Sequence, residues 1–316
     1  MSQVIKNRSE ILFIYDITDT NPNGDPADEN KPRIDEETGF NIVTDVRLKR
    51  TVRDYLHDFR NEEIFVRGER KDDGSLKTKE DIFEEYKKPE EILEKCIDIR
   101  LFGGTFALKG KKKTKTEEEG RTAFAYTGPV QFRFGRSLHK VGEPTYVKGT
   151  TVMPSAAEKK QGTFVDYYIL PYSLIAFYGI VNQNAAKETG LADADIELLL
   201  DGLWNGTKNL ISRSKVGQMP RFLLQVVYKE GNFHIGELDH RIRLVPGKAD
   251  EELRKVTDLK LDITDLRQAL GDYKAKISKL RYCHDPKLEL VADGKSAKPA
   301  KLMSGVGIEE LKFSDA

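Results

Sequence analysis

Carboxylates are the densest chemistry-bearing residues near the N-terminus: Asp16, Asp19, Asp25, Asp28, Asp35 and Asp45. Clustered Asp can hold a divalent cation through oxygen ligands and so assist hydrolysis. The same residues also fit turn chemistry. Asn-Pro-Asn-Gly-Asp-Pro (21–26) combines a fixed φ, a residue tolerant of positive φ, and side chains that bond their own backbone. Asp45 follows Thr44, a good N-cap, and places a negative charge at a positive helix end. The histidines, His57, His139, His234, His240 and His284, stand in no familiar ligand spacing. No GxxxxGK[ST] occurs, and no GxGxxG opens a helix; Gly103-Gly104 is followed by no helix start. The expectation is a chain without metal or nucleotide cofactor.

Cations are the second candidate chemistry. The segment 44–60 carries Arg47, Lys49, Arg50, Arg53 and Arg60. Residues 120–142 contain Arg121, Arg133, Arg136 and Lys140 and no acid. Residues 202–229 contain Lys208, Arg213, Lys215, Arg221 and Lys229 and no acid. The last two stretches also carry Phe124, Tyr126, Phe132, Phe134, Trp204 and Phe222. Phosphates need cations, and splayed bases need flat or apolar faces. Each stretch alone reads more readily as a solvated face; if the three converge on one sheet face, they make a channel for a single strand. The lysine run KGKKKTK (109–115) reads as a solvated loop or as an arm on the phosphate backbone.

The elements that would position these groups follow from periodicity. ILFIYDI (11–17) predicts a buried strand. A polar connection, 19–43, leads to a helix over 44–60, where Leu48, Val52, Tyr55, Leu56 and Phe59 form one apolar stripe. Residues 61–95 are charged and broken by DDG and KP, which predicts an insertion with one or two short helices. CIDIRLF (96–102) has a strand pattern. Val130, Phe132 and Phe134 alternate with Gln131 and Arg133, again a strand. Pro171 splits the apolar block 163–181 into two strands, or a strand and an edge segment. Residues 193–211 predict a helix weakened by Gly202 and Gly206. Strands follow at 221–228 and 240–245, a last helix covers about 263–280, and the tail beyond 285 reads as loosely ordered. The order resembles βαββαβ, the α+β ferredoxin-like or RRM-like plan, in one domain with insertions over 1–316.

The chain has 316 residues, 38% hydrophobic and 33% charged, with Lys+Arg and Asp+Glu balanced at 52 each. Any electrostatic surface must therefore come from uneven distribution. Cys96 and Cys283 are too few for a disulfide framework, no apolar run reaches membrane-spanning length, and the N-terminus has no signal-peptide pattern. The expected location is cytoplasmic, away from membranes.

Residues 11–56, ILFIYDITDTNPNGDPADENKPRIDEETGFNIVTDVRLKRTVRDYL, closely resemble the backbone subunit of type I CRISPR Cascade complexes, most like the subtype I-B form. The resemblance continues in RLFGG (100–104), YTGPVQFRFGRSLH (126–139), the block 163–181, and LWNGTKNLISRSKVGQMPRFLLQVVY (203–228). It implies a non-catalytic crRNA-binding subunit with a modified RRM/ferredoxin-like palm. Insertions would supply fingers (61–95), a mobile loop (105–122) and a thumb region (about 185–220). Copies would stack along the guide spacer beside other Cascade subunits. Each thumb would flip out one guide base and leave the rest for pairing with target DNA, with PAM reading in a different subunit. Asn23 and Gly24 would let backbone approach the guide, and Asp45 would stand at the helix start. Arg47, Lys49, Arg50 and Arg53 would meet phosphates. Arg133, Arg136, Arg213, Lys215, Met219 and Arg221 complete the expected RNA-binding set. Met219 would be either a wedge at the flipped base or a loop methionine packed on the core.

Two other functions stay open at this level. Backbone subunits of type III complexes cut RNA with an Asp between the first strand and first helix, where this chain has Asp25, Asp28 and Asp35. A stand-alone RRM-like module is the other, although it needs no neighbour-reaching arms.

Overall fold

The computed structural model describes residues 3–86, 88–109, 121–150, 164–302 and 305–313. Its centre is β1 (Ser9–Thr20). Successive side chains of a strand point to opposite faces. Ile11, Phe13, Tyr15 and Ile17 therefore enter one core, and Leu12 and Ile14 another. Burial on both faces explains an unbroken apolar run instead of alternation.

β1 pairs antiparallel with Phe164–Val181 on one side and Met219–Tyr228 on the other. Gly135–Lys140 extends the sheet beyond Phe164–Val181, and Phe40–Val43 follows it at the edge. Ile277–His284 extends it beyond Met219–Tyr228, with Gly307–Glu310 parallel at that edge. The four inner strands thus run in the order 219–228, 9–20, 164–181, 135–140.

One face carries two long helices. The first, α1 (Asp45–Arg60), is capped by Thr44, whose Oγ1 accepts from the Arg47 amide at 3.3 Å. It buries Leu48, Val52, Tyr55 and Leu56 against the sheet. The second, Asp193–Lys208, packs along it. Gly202 and Gly206 lie at their contact: a Cβ on Gly206 would stand 2.9 Å from Tyr55 Cβ, and one on Gly202 3.0 Å from Val52 Cγ1. The glycines that weaken the helix by propensity are what lets the two backbones approach. Asp201 fastens the pair, accepting from Arg60 Nε at 2.6 Å and Asn205 Nδ2 at 2.7 Å.

The other face is covered by the C-terminal part of the chain. Strands Arg243–Pro246, Leu259–Asp262, Glu289–Ala292 and Lys295–Ala297 and the helix Thr264–Asp272 bring Leu259, Leu261, Leu266, Leu270 and Leu290 onto Leu12, Ile14, Phe222, Leu224 and Val226. Where described, the tail beyond 285 is therefore structured, contrary to expectation. The last helix stops at Asp272, because Ile277, Leu280 and Tyr282 belong to a strand. The expected strand 240–245 is a helical turn, Leu238–Arg241, followed by Arg243–Pro246.

Residues 61–95 carry the short helices Lys79–Glu84 and Pro89–Lys95, which share a small core of Phe65, Ile82, Tyr86, Ile92, Cys96, Ile99 and Phe106. Cys96–Phe102 is not a strand: Ile97–Phe102 is a helix buried on all sides, which erases the periodic signal. Its buried Asp98 accepts from the amides of Phe65 (2.8 Å) and Val66 (3.1 Å) and from Arg53 Nε (2.9 Å). The segment 105–122 is largely strand where described, since Gly103–Lys109 pairs with Arg121–Thr127; residues 110–120 lie outside the described residues.

The block 163–181 is one strand from Phe164, not two. Pro171 is tolerated because the partners change there. Phe164–Ile169 pairs with Thr145–Thr150, Ile175–Ala176 pairs with Gly135–Lys140, and the β1 register steps over Asp19, whose φ is 50°. No ladder bond requires the missing N–H. Only Val130–Phe132 of the expected alternating strand is strand, and Phe134 is exposed. Most of 185–220 is core helix, Gln183–Thr189 and Asp193–Lys208, with a short break at 190–192 and a loop over 209–218.

Gly206→Leu should lower stability by about 1–3 kcal/mol despite better helix propensity, because the added side chain separates the two helices. A denaturant midpoint at or above the parent's would contradict this contact.

Candidate nucleic-acid interface

The polar connection after β1 folds onto the start of α1. Asn23 Oδ1 accepts from the Thr44 amide at 2.8 Å and the Thr44 hydroxyl at 2.9 Å, so the loop anchors the helix cap. Gly24 is demanded by the loop itself: a Cβ there would lie 2.1 Å from Asn30 Oδ1. Asn21 donates from Nδ2 to the Asn30 carbonyl (2.7 Å), and its amide donates to the Ser214 carbonyl (3.0 Å). The second bond ties the connection to the loop 209–218.

That loop brings Lys215 to Arg47. Burial and the Arg47 charge together push the Lys215 ammonium below its ordinary pKa. Burial, opposed by Tyr15 and Asp54, does the same to Arg47. Neither makes an ion pair among the described residues, and Arg47 Nη2 is buried without a hydrogen-bond partner there. Two half-buried like charges held together disfavour each other until an anion bridges them. Arg213, also without a carboxylate among the described residues, lies 4.7 Å over the Tyr167 ring. Other buried side-chain atoms without partners among the described residues gather in this region: Thr20 Oγ1, Asn21 Oδ1, Arg33 Nε, Tyr167 Oη and Gln218 Nε2.

The remaining expected cations have partners. Arg53 is mostly buried on Asp98. Arg221 is buried between Asp16 (Nε to Oδ1, 2.9 Å) and Asp285, and Tyr172 also donates to Asp16 (3.1 Å). Burial raises the Asp16 pKa, and Arg221 opposes that rise. Lys49 bridges Asp45 (3.0 Å) and Gln131 (3.1 Å), and Arg50 meets Asp54 (2.6 Å). Arg133 meets Asp239 (2.6 Å), and Arg136 meets Asp35 (2.8 Å) on the surface. Met219 is half-buried opposite Asp16, next to the loop. The carboxylates raised as metal ligands are dispersed as well: Asp25 on Arg33 (2.6 Å), Asp28 on Lys31 (2.7 Å), Asp35 on Arg136. No group of three metal-ligating side chains occurs among the described residues.

One feature of the region escapes the sequence reading. Thr145–Thr150 and Phe164–Ile169 make a hairpin whose first strand has no partner besides the second among the described residues. It exposes Tyr146 and Phe164 by about half, and Lys148 Nζ sits 4.4 Å over the Phe164 ring. Tyr168 donates to Glu29 at 2.8 Å, fixing the hairpin to the 21–32 loop. Between them is a crevice of about 140 Å³, lined in part by Asn21, Asn30, Tyr167, Arg213 and Val216. The signal, TYVK (145–148) opposite DYYI (166–169), mixes aromatic and polar residues without a buried apolar face, so it lacks the pattern of a core strand.

Arg53→Ala strands the Asp98 carboxylate in the interior and should cost about 3–5 kcal/mol, whereas Arg50→Ala, at an exposed pair, should change stability by about 0–1 kcal/mol. Equal denaturation midpoints for the two variants would contradict the structural role given to Arg53.

Comparison with known proteins places this geometry in context. Two solved structures, a "CRISPR RNA-guided surveillance complex" chain and a "CRISPR RNA-guided surveillance complex, pre-nicking" chain, share the fold. Their TM-scores are 0.52 and 0.51, at 14% and 11% identity, covering 97% and 93% of this chain and 95% and 98% of theirs. A "CRISPR-associated protein Cas7" of Haloferax volcanii is 37% identical over 307 residues, 90% of this chain and 88% of the relative. The family model of CRISPR-associated protein Cas7 matches residues 7–264. The family match runs through β1, α1 and the loop that carries Lys215, and with the relative's 37% identity over 90% of the chain it shows that the chain belongs to the CRISPR-associated Cas7 family.

Proposed function

We propose that this chain is the non-catalytic guide-RNA-binding backbone subunit of a type I CRISPR surveillance complex, most like subtype I-B. The observation that carries the reading is the Arg47–Lys215 pair: two half-buried cations without acid partners among the described residues, at the N-terminal end of a capped helix. A helix N-terminus with adjacent fixed cations suits a phosphate. Recognition through phosphate fits a guide of arbitrary spacer sequence, whose base edges must stay free for target DNA.

The inner strand order and the two helices on one face match the split βαβ plan, and this is the palm of the reading. Residues 61–95 serve as fingers. The thumb moves from the 185–220 region to the hairpin 145–150/164–169, since exposed aromatics beside Lys148 are suited to stack on bases. Further copies and other complex subunits complete the assembly in this reading, which is supported by the fold shared with chains of RNA-guided surveillance complexes. A cytoplasmic setting accords with two free cysteines.

Both alternatives lose support. A stand-alone RRM-like module binds bases on its open sheet face. Here Leu12, Ile14, Phe222, Leu224 and Val226 on that face are buried under the C-terminal part. A metal-dependent nuclease would need carboxylates gathered together, whereas Asp25, Asp28 and Asp35 each hold a separate cation.

Arg47→Ala with Lys215→Ala should weaken guide binding similarly for every spacer and lower the slope of log affinity against log salt by about 1–2. Losses per copy should compound along one RNA. A loss that depends on spacer sequence, or none, would contradict phosphate binding there. Incubated with complementary RNA and Mg²⁺, the guide-loaded assembly should leave the RNA intact; periodic cuts abolished by Asp25→Ala or Asp35→Ala would overturn the non-catalytic assignment.

A further inference from the structure

One basic feature has no part in the guide site. Lys229 closes the third basic stretch, but it follows Tyr228, at the opposite end of the strand from Met219 and the Lys215 loop. A ten-residue strand spans roughly 30 Å. At that far end lies a groove of about 600 Å³, lined by Lys229, Asp272, Lys274 and the backbone of Gly305–Gly307, among others. Lys229 and Lys274 are exposed, and neither makes an ion pair among the described residues; Lys276, adjoining them, is in the same state. Asp272 is the single carboxylate in the lining.

Aromatic rings adjoin these cations. Tyr273, 43% exposed, packs 5.2 Å from Phe233, and Lys276 Nζ stands 6.0 Å over the Phe233 ring. The backbone holds the group in place: the Lys229 amide donates to the Lys276 carbonyl (2.8 Å), and the Lys276 amide to the Tyr273 carbonyl (2.8 Å). Cations that track phosphate beside an exposed ring are the makings of a sequence-tolerant site for a single strand. An acidic protein surface would satisfy the lysines but leave the exposed Tyr273 face unexplained.

We propose that this groove is a second nucleic-acid surface, separate from the guide site, and that it holds single-stranded DNA. The DNA assignment rests on the guide-binding reading: pairing of a guide with one strand of a duplex leaves the other strand unpaired and in need of a basic surface. The groove supplies phosphate contacts from Lys229 and Lys274, and beside its lining Lys276 adds a third cation and Tyr273 a stacking face.

The test is titration of the guide-loaded assembly with a fluorescent oligodeoxythymidylate that cannot pair with the guide. Changing Lys229, Lys274 and Lys276 together to Gln should weaken this binding at least tenfold and lower its salt slope by about 2. Tyr273→Ala should weaken it severalfold at unchanged slope. Guide binding should be unaffected by both, and thermal midpoints should stay at the parent value because the four side chains are exposed or half-exposed. Unchanged oligonucleotide affinity in the triple variant would overturn the proposal. So would lost assembly length with unchanged affinity, which would make the groove a contact between copies. Failure of the guide reading would appear separately, as guide binding indifferent to Arg47 and Lys215.

Discussion

Burial of β1 on both faces governs where this molecule can meet a ligand. Helices cover the face carrying Phe13, Tyr15 and Ile17, and the C-terminal strands and helix cover the face carrying Leu12 and Ile14. With neither face open, polar recognition is displaced to the ends of the strands and to the loops there. β1 ends at Thr20, where the chain turns into the 21–32 loop, and Met219–Tyr228 begins beside it after the 209–218 loop. The Asn21–Ser214 bond and the Asn23–Thr44 bonds close these loops onto the start of α1. The candidate interface is thus a consequence of the packing, set at one end of a sheet that cannot itself be read.

Charge follows a similar logic. A chain with 52 cations and 52 anions has no net field to draw a polyanion. Most of the cations near α1 are neutralised, several of them deeply, as Arg53 is by Asp98 and Arg221 by Asp16 and Asp285. Such buried pairs fix geometry more than they add stability. The Asp16–Arg221–Asp285 group joins β1 to the strand beside it and to the C-terminal part. The cations without acid partners among the described residues include, at this end of the sheet, the half-buried Arg47 and Lys215 and the exposed Arg213.

Much of the architecture was legible in the sequence. An apolar β-branched run gave β1, a 3.6-residue stripe behind a Thr cap gave α1, and RFLLQVVY gave the strand beside β1. The misreadings share a cause: local pattern reports the environment of a segment only when that environment is one-sided. Ile97–Phe102 is buried all round and lost its helical period. Pro171 lies where no neighbour needs its amide, so a residue that ordinarily ends a strand did not. The hairpin from Thr145 has no buried face and gave no apolar signal. The site was legible as a set of cations but not as a set of partners. Arg53 meets a carboxylate 45 residues away and Arg221 one 64 residues away, and no spacing rule announces either. Gly202 and Gly206 were readable as helix weakeners; their value lies in Val52 and Tyr55, on another helix.

The central claim is that copies of this chain follow a guide RNA with its backbone at the start of α1. Electron microscopy of the protein co-expressed with its guide and its genomic neighbours tests this most directly. The account predicts a curved filament, one protomer per regular guide segment, with phosphate density between Arg47 and Lys215. Filaments whose RNA runs elsewhere on the protomer, or compact monomers without RNA, would contradict it.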